Sequence, residues 1–187
     1  LVSSLSSGGR DIYLLKVDFN GNKLWDKIIG EPGYSYIESG HSIAKTSDNK
    51  YIIAGLKNLD LYLVKTETNG DVIWDKVFDT NGNSETRYFV TVDSSNGDFL
   101  ITGEKEDDLL LLKTDSNGDK KWEKTFGKSG ERDFGYGVLI TPDNKYVIVG
   151  AERDWHGSTY NYDIYVIKTD SNGNEIWSKD FGGGGND

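Results

Sequence analysis

The sequence lacks several residue types that would define a class of function. Its 187 residues include no cysteine and no methionine, and only two prolines and two histidines. Without cysteine, the chain cannot form disulfides, use a thiol nucleophile or build a thiolate zinc site. No apolar run reaches the length of about 18 residues that a membrane-spanning helix requires. Stability must therefore come from packed apolar side chains, and a chain of this length buries roughly 70% of its unfolded surface.

Basic residues are scarce relative to acidic ones. The chain has 21 lysines and arginines against 31 acidic residues, and its formal net charge is −10. This balance argues against nucleic acids and anionic membranes as partners, because both reward clustered basic side chains. An acidic, cysteine-free chain rich in Gly, Asn, Ser and Thr suits an extracellular or cell-surface protein, with the periplasm as the alternative location.

An internal repeat dominates the sequence. The motif Asn-Gly-(Asn/Asp)-x-x-Trp recurs at intervals of about 50 residues, which is typical of repeat architectures. A second motif, Asp followed by four mostly apolar residues and Lys, precedes every copy, as in Asp60–Lys65. The copies of the first motif end at Trp25, Trp74, Trp122 and Trp177.

Each repeat contains four short segments rich in β-branched and aromatic residues, which we label strands A to D. In the second repeat they are 42–46, 51–54, 61–65 and 72–77. Asn-Gly between C and D and Asp-Asn between A and B supply the positive φ that tight hairpins need. A four-stranded repeat of about 48 residues predicts an all-β fold, a β-propeller of four-stranded antiparallel blades.

We expect residues 1–187 to form a single propeller segment. The predicted blades are 1–30, 31–79, 80–127 and 128–187. Residues 1–6 align with strand B at 52–57, so the first blade is partial and lacks its inner strand A. Because the chain opens in mid-repeat without an initiator methionine or a leader, we expect a fragment or a processed form.

A missing inner strand leaves an exposed sheet edge, and three arrangements would resolve it. The first is a longer parent chain with about six to eight blades, within the usual range for propellers. The second is a homodimer in which two copies complete an eight-bladed ring of about the same size. The third is a single copy that closes alone as a four-bladed ring.

The repeated side chains have structural interpretations. A tryptophan at one position per blade can pack between neighbouring sheets and bury about 150–250 Å². We therefore assign Trp25, Trp74, Trp122 and Trp177 to inter-blade packing. The lysines that recur on strands C and D are expected on the solvent-facing side of the sheets, where they discourage edge-to-edge association.

The pattern D-x-Y-L-x-K-x-D-x-x-G-x-x-x-W resembles the tandem repeats of bacterial and archaeal secreted or lipoprotein-type β-propellers. It is also similar to the quinoprotein (PQQ-like) repeat, whose blades carry a docking tryptophan. The resemblance covers essentially the whole chain and implies the fold. The vicinal cysteines typical of many quinoprotein dehydrogenases are absent, and we predict no redox cofactor.

Connections that depart from the repeat are the candidates for a binding site. In a propeller the D–A and B–C connections share one face, and here they carry the sequence variation. The fourth B–C connection, 153–162, has an insertion of about six residues. These connections contain aromatic residues together with Asp, Asn and Arg, and this combination suits recognition of a glycan or a protein partner. The predicted ligand-binding residues are Trp155, His156, Tyr160, Tyr36, His41, Arg87, Tyr88, Arg132, Asp133 and Tyr136.

No catalytic set is recognisable in the sequence. Two histidines and no G-x-S-x-G motif offer little for nucleophilic catalysis. The acidic turns 115–119 and 170–174 resemble calcium loops but lack EF-hand spacing, so we predict no metal and keep calcium as an alternative. The sequence favours a non-catalytic binding or scaffold module. The alternatives are a quinoprotein-like oxidoreductase or hydrolase, and a structural spacer array.

Overall fold

Antiparallel strands make up all the regular structure in the part of the chain that a computed structural model describes, namely residues 2–5, 10–30, 37–81, 86–127, 132–156 and 159–182. For 2–5, 154–156 and 159–161 only the backbone is described. The predicted all-β class is confirmed. Among the described residues no helix is long and apolar enough to cross a membrane.

The strands form four separate sheets in chain order. Sheet 1 contains β1 (Val2–Leu5), β2 (Arg10–Val17) and β3 (Lys23–Ile29). Sheet 2 contains β4 (Glu38–Lys45), β5 (Tyr51–Lys57), β6 (Asp60–Thr66) and β7 (Val72–Phe78). Sheet 3 contains β8 (Phe89–Val92), β9 (Phe99–Lys105), β10 (Asp108–Thr114) and β11 (Lys120–Phe126). Sheet 4 contains β12 (Arg132–Ile140), β13 (Tyr146–His156), β14 (Thr159–Thr169) and β15 (Glu175–Phe181).

The Asn-Gly turns join the last two strands of each sheet. In sheet 2 the Glu67 N–H donates to the Asp71 carbonyl at 2.8 Å, and the Gly70 N–H donates to the Glu67 carbonyl at 3.0 Å. Gly70 has φ of 84°, a left-handed conformation that costs glycine little. The positive φ predicted for these turns is confirmed at the glycines, and each turn adds a bulge at the end of the preceding strand.

Neighbouring sheets pack face to face through three apolar clusters. We call the side of a sheet that packs on the preceding sheet its front face, and the side that packs on the following sheet its back face. Between sheets 2 and 3, for example, Leu61 and Leu63 of the back face pack against Leu110 and Leu112 of the next front face, all almost fully buried. Equivalent clusters join sheets 1 and 2 and sheets 3 and 4. The first strands of consecutive sheets also contact one another in chain order: β1 contacts β4, β4 contacts β8, and β8 contacts β12.

Three of the four repeated tryptophans, Trp25, Trp74 and Trp122, lie at these contacts between sheets. The inter-blade packing predicted for Trp177 is not seen, because Trp177 is exposed on β15 with no described sheet after it. A Cβ placed on Gly70 would be 2.8 Å from Cζ3 of Trp25, so the indole of sheet 1 lies directly on the Asn-Gly turn of sheet 2. Trp74 covers Gly118 in the same way, and Trp122 covers Gly173. We call each set of contacts between consecutive sheets a junction. The motif that repeats in sequence is therefore one that repeats in packing.

The lysines of the third strands differ from expectation. Lys65 is almost fully buried, and its Nζ donates to the Ser116 carbonyl of the next sheet at 3.3 Å. Lys113 is also buried and donates to the Tyr146 hydroxyl at 3.0 Å. Solvent exposure was the wrong prediction for these lysines, because their long stems lie on the back face and carry the ammonium across the junction.

The insertion in sheet 4 also differs from the predicted loop. Its residues extend β13 and β14 to 11 residues each, and the backbone of Trp155 pairs with that of Tyr160. Trp and Tyr favour strands, so extending an existing hairpin satisfies the backbone of the added residues. The side chains of Trp155, His156 and Tyr160 lie outside the described residues.

The first strand has a different register from the predicted alignment. Val2 pairs with Tyr13, whereas Gly55 pairs with the equivalent Tyr62, so β1 is displaced by two residues from the alignment of 1–6 with 52–57. The connection at 6–9 is longer than the two-residue turn Asn58–Leu59. A longer connection does not fix the register of a hairpin as a two-residue turn does.

Candidate ligand-binding site

One residue near the start of two of the inner strands interrupts the ladder. In β4 the register shifts between Gly40 and Ser42, and in β12 it shifts between Gly135 and Gly137. His41 and Tyr136 are therefore the extra residues of two equivalent β-bulges, which re-aim a side chain at a sheet edge. Tyr88 immediately precedes β8 at the same position of the repeat. All three were predicted as candidate site residues.

His41 joins sheet 2 to sheet 3 by hydrogen bonds. The Tyr88 backbone N–H donates to His41 Nδ1 at 3.2 Å, so Nδ1 carries no proton. The proton then resides on Nε2, which lies 2.9 Å from the Ser39 hydroxyl oxygen. Burial, with a smaller contribution from the charge of Arg87, lowers the pKa of His41 from 6.5 to about 4. His41 is a neutral structural link at neutral pH.

This environment of His41 predicts a pH-dependent stability. Because its folded pKa is depressed, the unfolded chain binds more protons between pH 6.5 and about 4, and stability falls as pH falls through that window. The ring is only partly buried, so solvent screening limits the loss to about 1 kcal/mol. Urea unfolding at pH 7 and pH 5 should show a larger loss for the wild type than for His41→Gln. Equal losses in the two proteins would contradict this role.

Tyr88 belongs to the core. Its side chain is fully buried in the cluster between sheets 2 and 3. Its hydroxyl donates to the Glu104 carbonyl at 3.0 Å and lies 2.6 Å from the Thr80 hydroxyl. Burial raises the pKa of this phenol, which stays protonated. A ligand at the surface would not reach this ring.

Arg132 is held beside the inner-strand edge by a two-point ion pair. Its Nε and Nη2 donate to the two carboxylate oxygens of Glu104 at 2.6 and 3.0 Å. The Thr86 hydroxyl donates to the same carboxylate at 2.6 Å, and Asp107 Oδ1 lies 3.3 Å from Arg132 Nε. Arg132 therefore links sheet 4 to sheet 3, and its guanidinium also lies 4.9 Å from the Phe134 ring centroid.

Three aromatic rings lie next to Arg132 along this edge. They belong to Phe134, Tyr136 and Phe89, and we call them the aromatic row. The rings of Phe134 and Tyr136 are parallel within 4° at a centroid distance of 6.2 Å. Phe89 of sheet 3 meets Tyr136 edge-on at 6.4 Å. Tyr136 is 47% exposed, whereas both phenylalanines are partly buried. Burial raises the pKa of the Tyr136 phenol, so the exposed end of the row presents a neutral hydroxyl.

The remaining predicted residues divide into three groups. Arg87 is exposed near His41 and donates from Nη1 to the Thr86 carbonyl at 3.1 Å. Asp133 is fully buried at the start of β12, close to the position that a Cβ on Gly127 would occupy. Tyr36 lies outside the described residues, as do the side chains of Trp155, His156 and Tyr160. The structure thus brings Arg132 and Tyr136 together at one edge and places His41 and Arg87 beside the neighbouring inner strand.

Sequence reasoning missed Phe89, Phe134 and the aromatic Tyr162, whose ring lies 6.5 Å from Phe134. A usable signal exists in β12, where Phe134 and Tyr136 flank Gly135 and break the repeat pattern. No comparable signal marks Phe89, because it occupies an ordinary strand position. Its role depends on β8 lying beside β12.

Two other concave regions lie near these strands. A groove of about 400 Å³ lies between the turns that follow β8 and β12, with Asp93 and Thr141 among its lining residues. It lies at the opposite end of the inner strands from the aromatic row. A cleft of about 360 Å³ on the back face of sheet 4 is lined by Val149, Ile164, Tyr162 and also Tyr136, so it adjoins the aromatic row.

The acidic turns use their carboxylates internally. Asp115 Oδ1 accepts the backbone N–H groups of Asn117 and Asp119, both at 2.9 Å. Asp170 makes the equivalent bonds to Asn172 and Asn174. These bonds give the carboxylates a role in shaping the hairpin. Among the described residues, no group of three or more His, Asp or Glu side chains is placed to hold a metal ion.

Comparison with protein-family models and with curated proteins finds no match to this chain. The candidate site therefore rests on the geometry of the described residues.

Proposed function

We propose that this chain is a β-propeller segment that acts as a non-catalytic carbohydrate-binding module, with the aromatic row as its binding surface. The observation that carries the proposal is the row itself, in which an exposed tyrosine stacks on a phenylalanine beside a fixed guanidinium. The propeller arrangement of four blades is supported by sheets that pack face to face in chain order through equivalent junctions.

The chemistry of the aromatic row suits a sugar ring. A pyranose presents an apolar face of C–H groups and a rim of hydroxyls, so it needs a flat aromatic surface with hydrogen-bonding groups at the edge. Tyr136 supplies a half-exposed ring and a neutral hydroxyl. Arg132 supplies guanidinium N–H groups whose orientation is fixed by Glu104. Preorganised groups of this kind reduce the entropy lost on binding.

The position of the row also favours binding. Its residues come from two sheets and lie at the starts of inner strands, directly after the D–A connections that vary between repeats. Rigid strands hold the rings, whereas neighbouring connections can alter selectivity. The formal charge of −10 favours neutral over acidic sugars.

A glycan array followed by calorimetry tests this proposal. We expect the wild type to bind one class of neutral glycan. We expect Tyr136→Ala to weaken binding about tenfold or more, because the stacking surface is lost, and a tenfold change in affinity corresponds to about 1.4 kcal/mol. Trp177→Ala is the matched control, because Trp177 is an exposed aromatic residue far along the sequence on β15. At concentrations low enough to keep the chain monomeric, it should leave the affinity for a monosaccharide unchanged.

Two outcomes would remove the carbohydrate assignment. One is an array with no bound glycan despite folded protein. The other is an equal loss of affinity in Tyr136→Ala and Trp177→Ala. If a protein ligand were captured in place of any glycan, with binding sensitive to Tyr136→Ala, the aromatic row would be a protein-recognition surface.

A further inference from the structure

The two end sheets leave complementary surfaces uncovered. On the back face of sheet 4, Ile164 is 45% exposed. Its equivalents are fully buried: Leu61 in the junction between sheets 2 and 3, and Leu109 in the junction between sheets 3 and 4. On the front face of sheet 1, Leu15 is 44% exposed, whereas the equivalent Val64 is fully buried. The cleft on the back face of sheet 4 is therefore the position that a following sheet would occupy.

Each junction pairs a tryptophan with the turn glycine of the next sheet. The glycine of sheet 1 and the tryptophan of sheet 4 have no such partner among the described residues. A Cβ placed on Gly118 would be 2.7 Å from the indole of Trp74, and one on Gly173 would be 2.7 Å from that of Trp122. A Cβ on Gly21, the equivalent glycine of sheet 1, would meet no described atom within 4 Å. Trp177 of sheet 4 is exposed on its outermost strand.

The turn of sheet 1 matches the turn that Trp122 already covers. In the turn of sheet 4, the Asn174 side chain donates to Asp170 Oδ2 at 3.0 Å, and its backbone N–H donates to Oδ1 at 2.9 Å. In the turn of sheet 1, Asn22 makes the same two bonds to Asp18 at 2.9 and 2.8 Å. The first turn is therefore preformed in the geometry that a tryptophan covers at the junction of sheets 3 and 4.

Charge complementarity extends the match. Each junction tryptophan is followed two residues later by a lysine, and Lys76 pairs with Asp119 of the next turn at 2.6 Å. Lys27 pairs with Asp71 in the same way at 2.9 Å. Lys179 follows Trp177 at this spacing. Asn22 in the turn of sheet 1 and Asn174 in the turn of sheet 4 occupy the position of Asp71 and Asp119. The carboxylates of these two turns are those of Asp18 and Asp170, and the charge of Lys124 contributes to the lowered pKa of Asp170.

We infer that the back face of sheet 4 binds the front face of sheet 1 of a second copy of this chain, head to tail, with Trp177 on Gly21 and Lys179 beside Asp18. The new contact continues the three internal junctions, which supply its template. Lys168, the equivalent of Lys65, would reach the Phe19 carbonyl as Lys65 reaches that of Ser116. Because the contact joins two different surfaces, a pair held by one such contact leaves one end of each copy uncovered. A pair that closes into a ring makes the contact twice and uses both ends of both copies.

Sedimentation velocity of the whole chain over a range of concentrations tests the inference. The wild type should associate into a species of twice the monomer mass or larger. Trp177→Ala, which removes the indole, and Gly21→Asn, which places a side chain where the indole would lie, should each weaken association at least tenfold. Asn tolerates the positive φ of Gly21, so the second variant should retain its fold. Circular dichroism and thermal unfolding confirm that both variants are folded.

Mixing the two variants identifies the geometry. The Gly21→Asn chain keeps Trp177, and the Trp177→Ala chain keeps Gly21, so a mixture regains one intact head-to-tail contact and should form a heterodimer. A contact between two identical faces would not regain stability on mixing. A wild type that stays monomeric at high concentration, or association that survives in both folded variants, would overturn the inference.

Discussion

Replacing Arg132 by methionine should destabilise the protein by about 3–5 kcal/mol, the cost of removing one partner from a buried ion pair. The side chain of Glu104 is 2% exposed, and it receives two charge-assisted hydrogen bonds from Arg132. Without the guanidinium, the carboxylate stays in a site built for a compensated charge. Chemical denaturation of the variant at neutral pH measures the loss.

The companion variant separates the charge from the packing. Replacing Arg132 and Glu104 together by methionine removes both charges while keeping long side chains at both positions. We expect this double variant to be more stable than Arg132→Met alone, because replacing a whole buried pair by apolar residues is often nearly neutral. A double variant that loses as much as the sum of the two single variants would show that the pair is not energetically coupled.

This ion pair also shows where sequence reasoning ends. Arg132 was recognised as a candidate because it follows a connection that departs from the repeat, but its partner on β9 carries no such mark. The pair forms because β12 lies against β9 and β8. Contacts between sheets depend on which strands become neighbours, and single-chain periodicity contains little information about that.

The three residues at one position of the repeat illustrate the same limit. His41, Tyr88 and Tyr136 occupy equivalent places, yet one links two sheets, one is core and one is exposed. Their roles depend on the sheet that follows each of them. By contrast, the Asn-Gly turns could be predicted because glycine is required locally by a positive φ. Positive φ at Leu59 (78°) had no such signal, since leucine is not a residue that a tight turn normally selects.

Placing alanine at Gly118 should cost about 2–5 kcal/mol, and the same change at Gly21 should cost about half as much or less. Both glycines have similar left-handed φ, 77° and 83°, and this strain costs an L-residue roughly 1–2 kcal/mol. At Gly118 the new Cβ also lies 2.7 Å from the Trp74 indole, and such overpacking adds about 1–3 kcal/mol. At Gly21 the described structure offers no atom within 4 Å to clash with.

The comparison is informative because everything local is matched. Both substitutions act on the same turn type, and both reduce the entropy of the unfolded chain equally, so the difference in unfolding free energy isolates the contact between sheets. Urea titration of both alanine variants, at concentrations low enough to keep the chain monomeric, gives that difference. Equal losses at Gly118 and Gly21 would mean that the indole moves aside at no cost. The tryptophans would then contribute buried area without fixing how one sheet lies on the next.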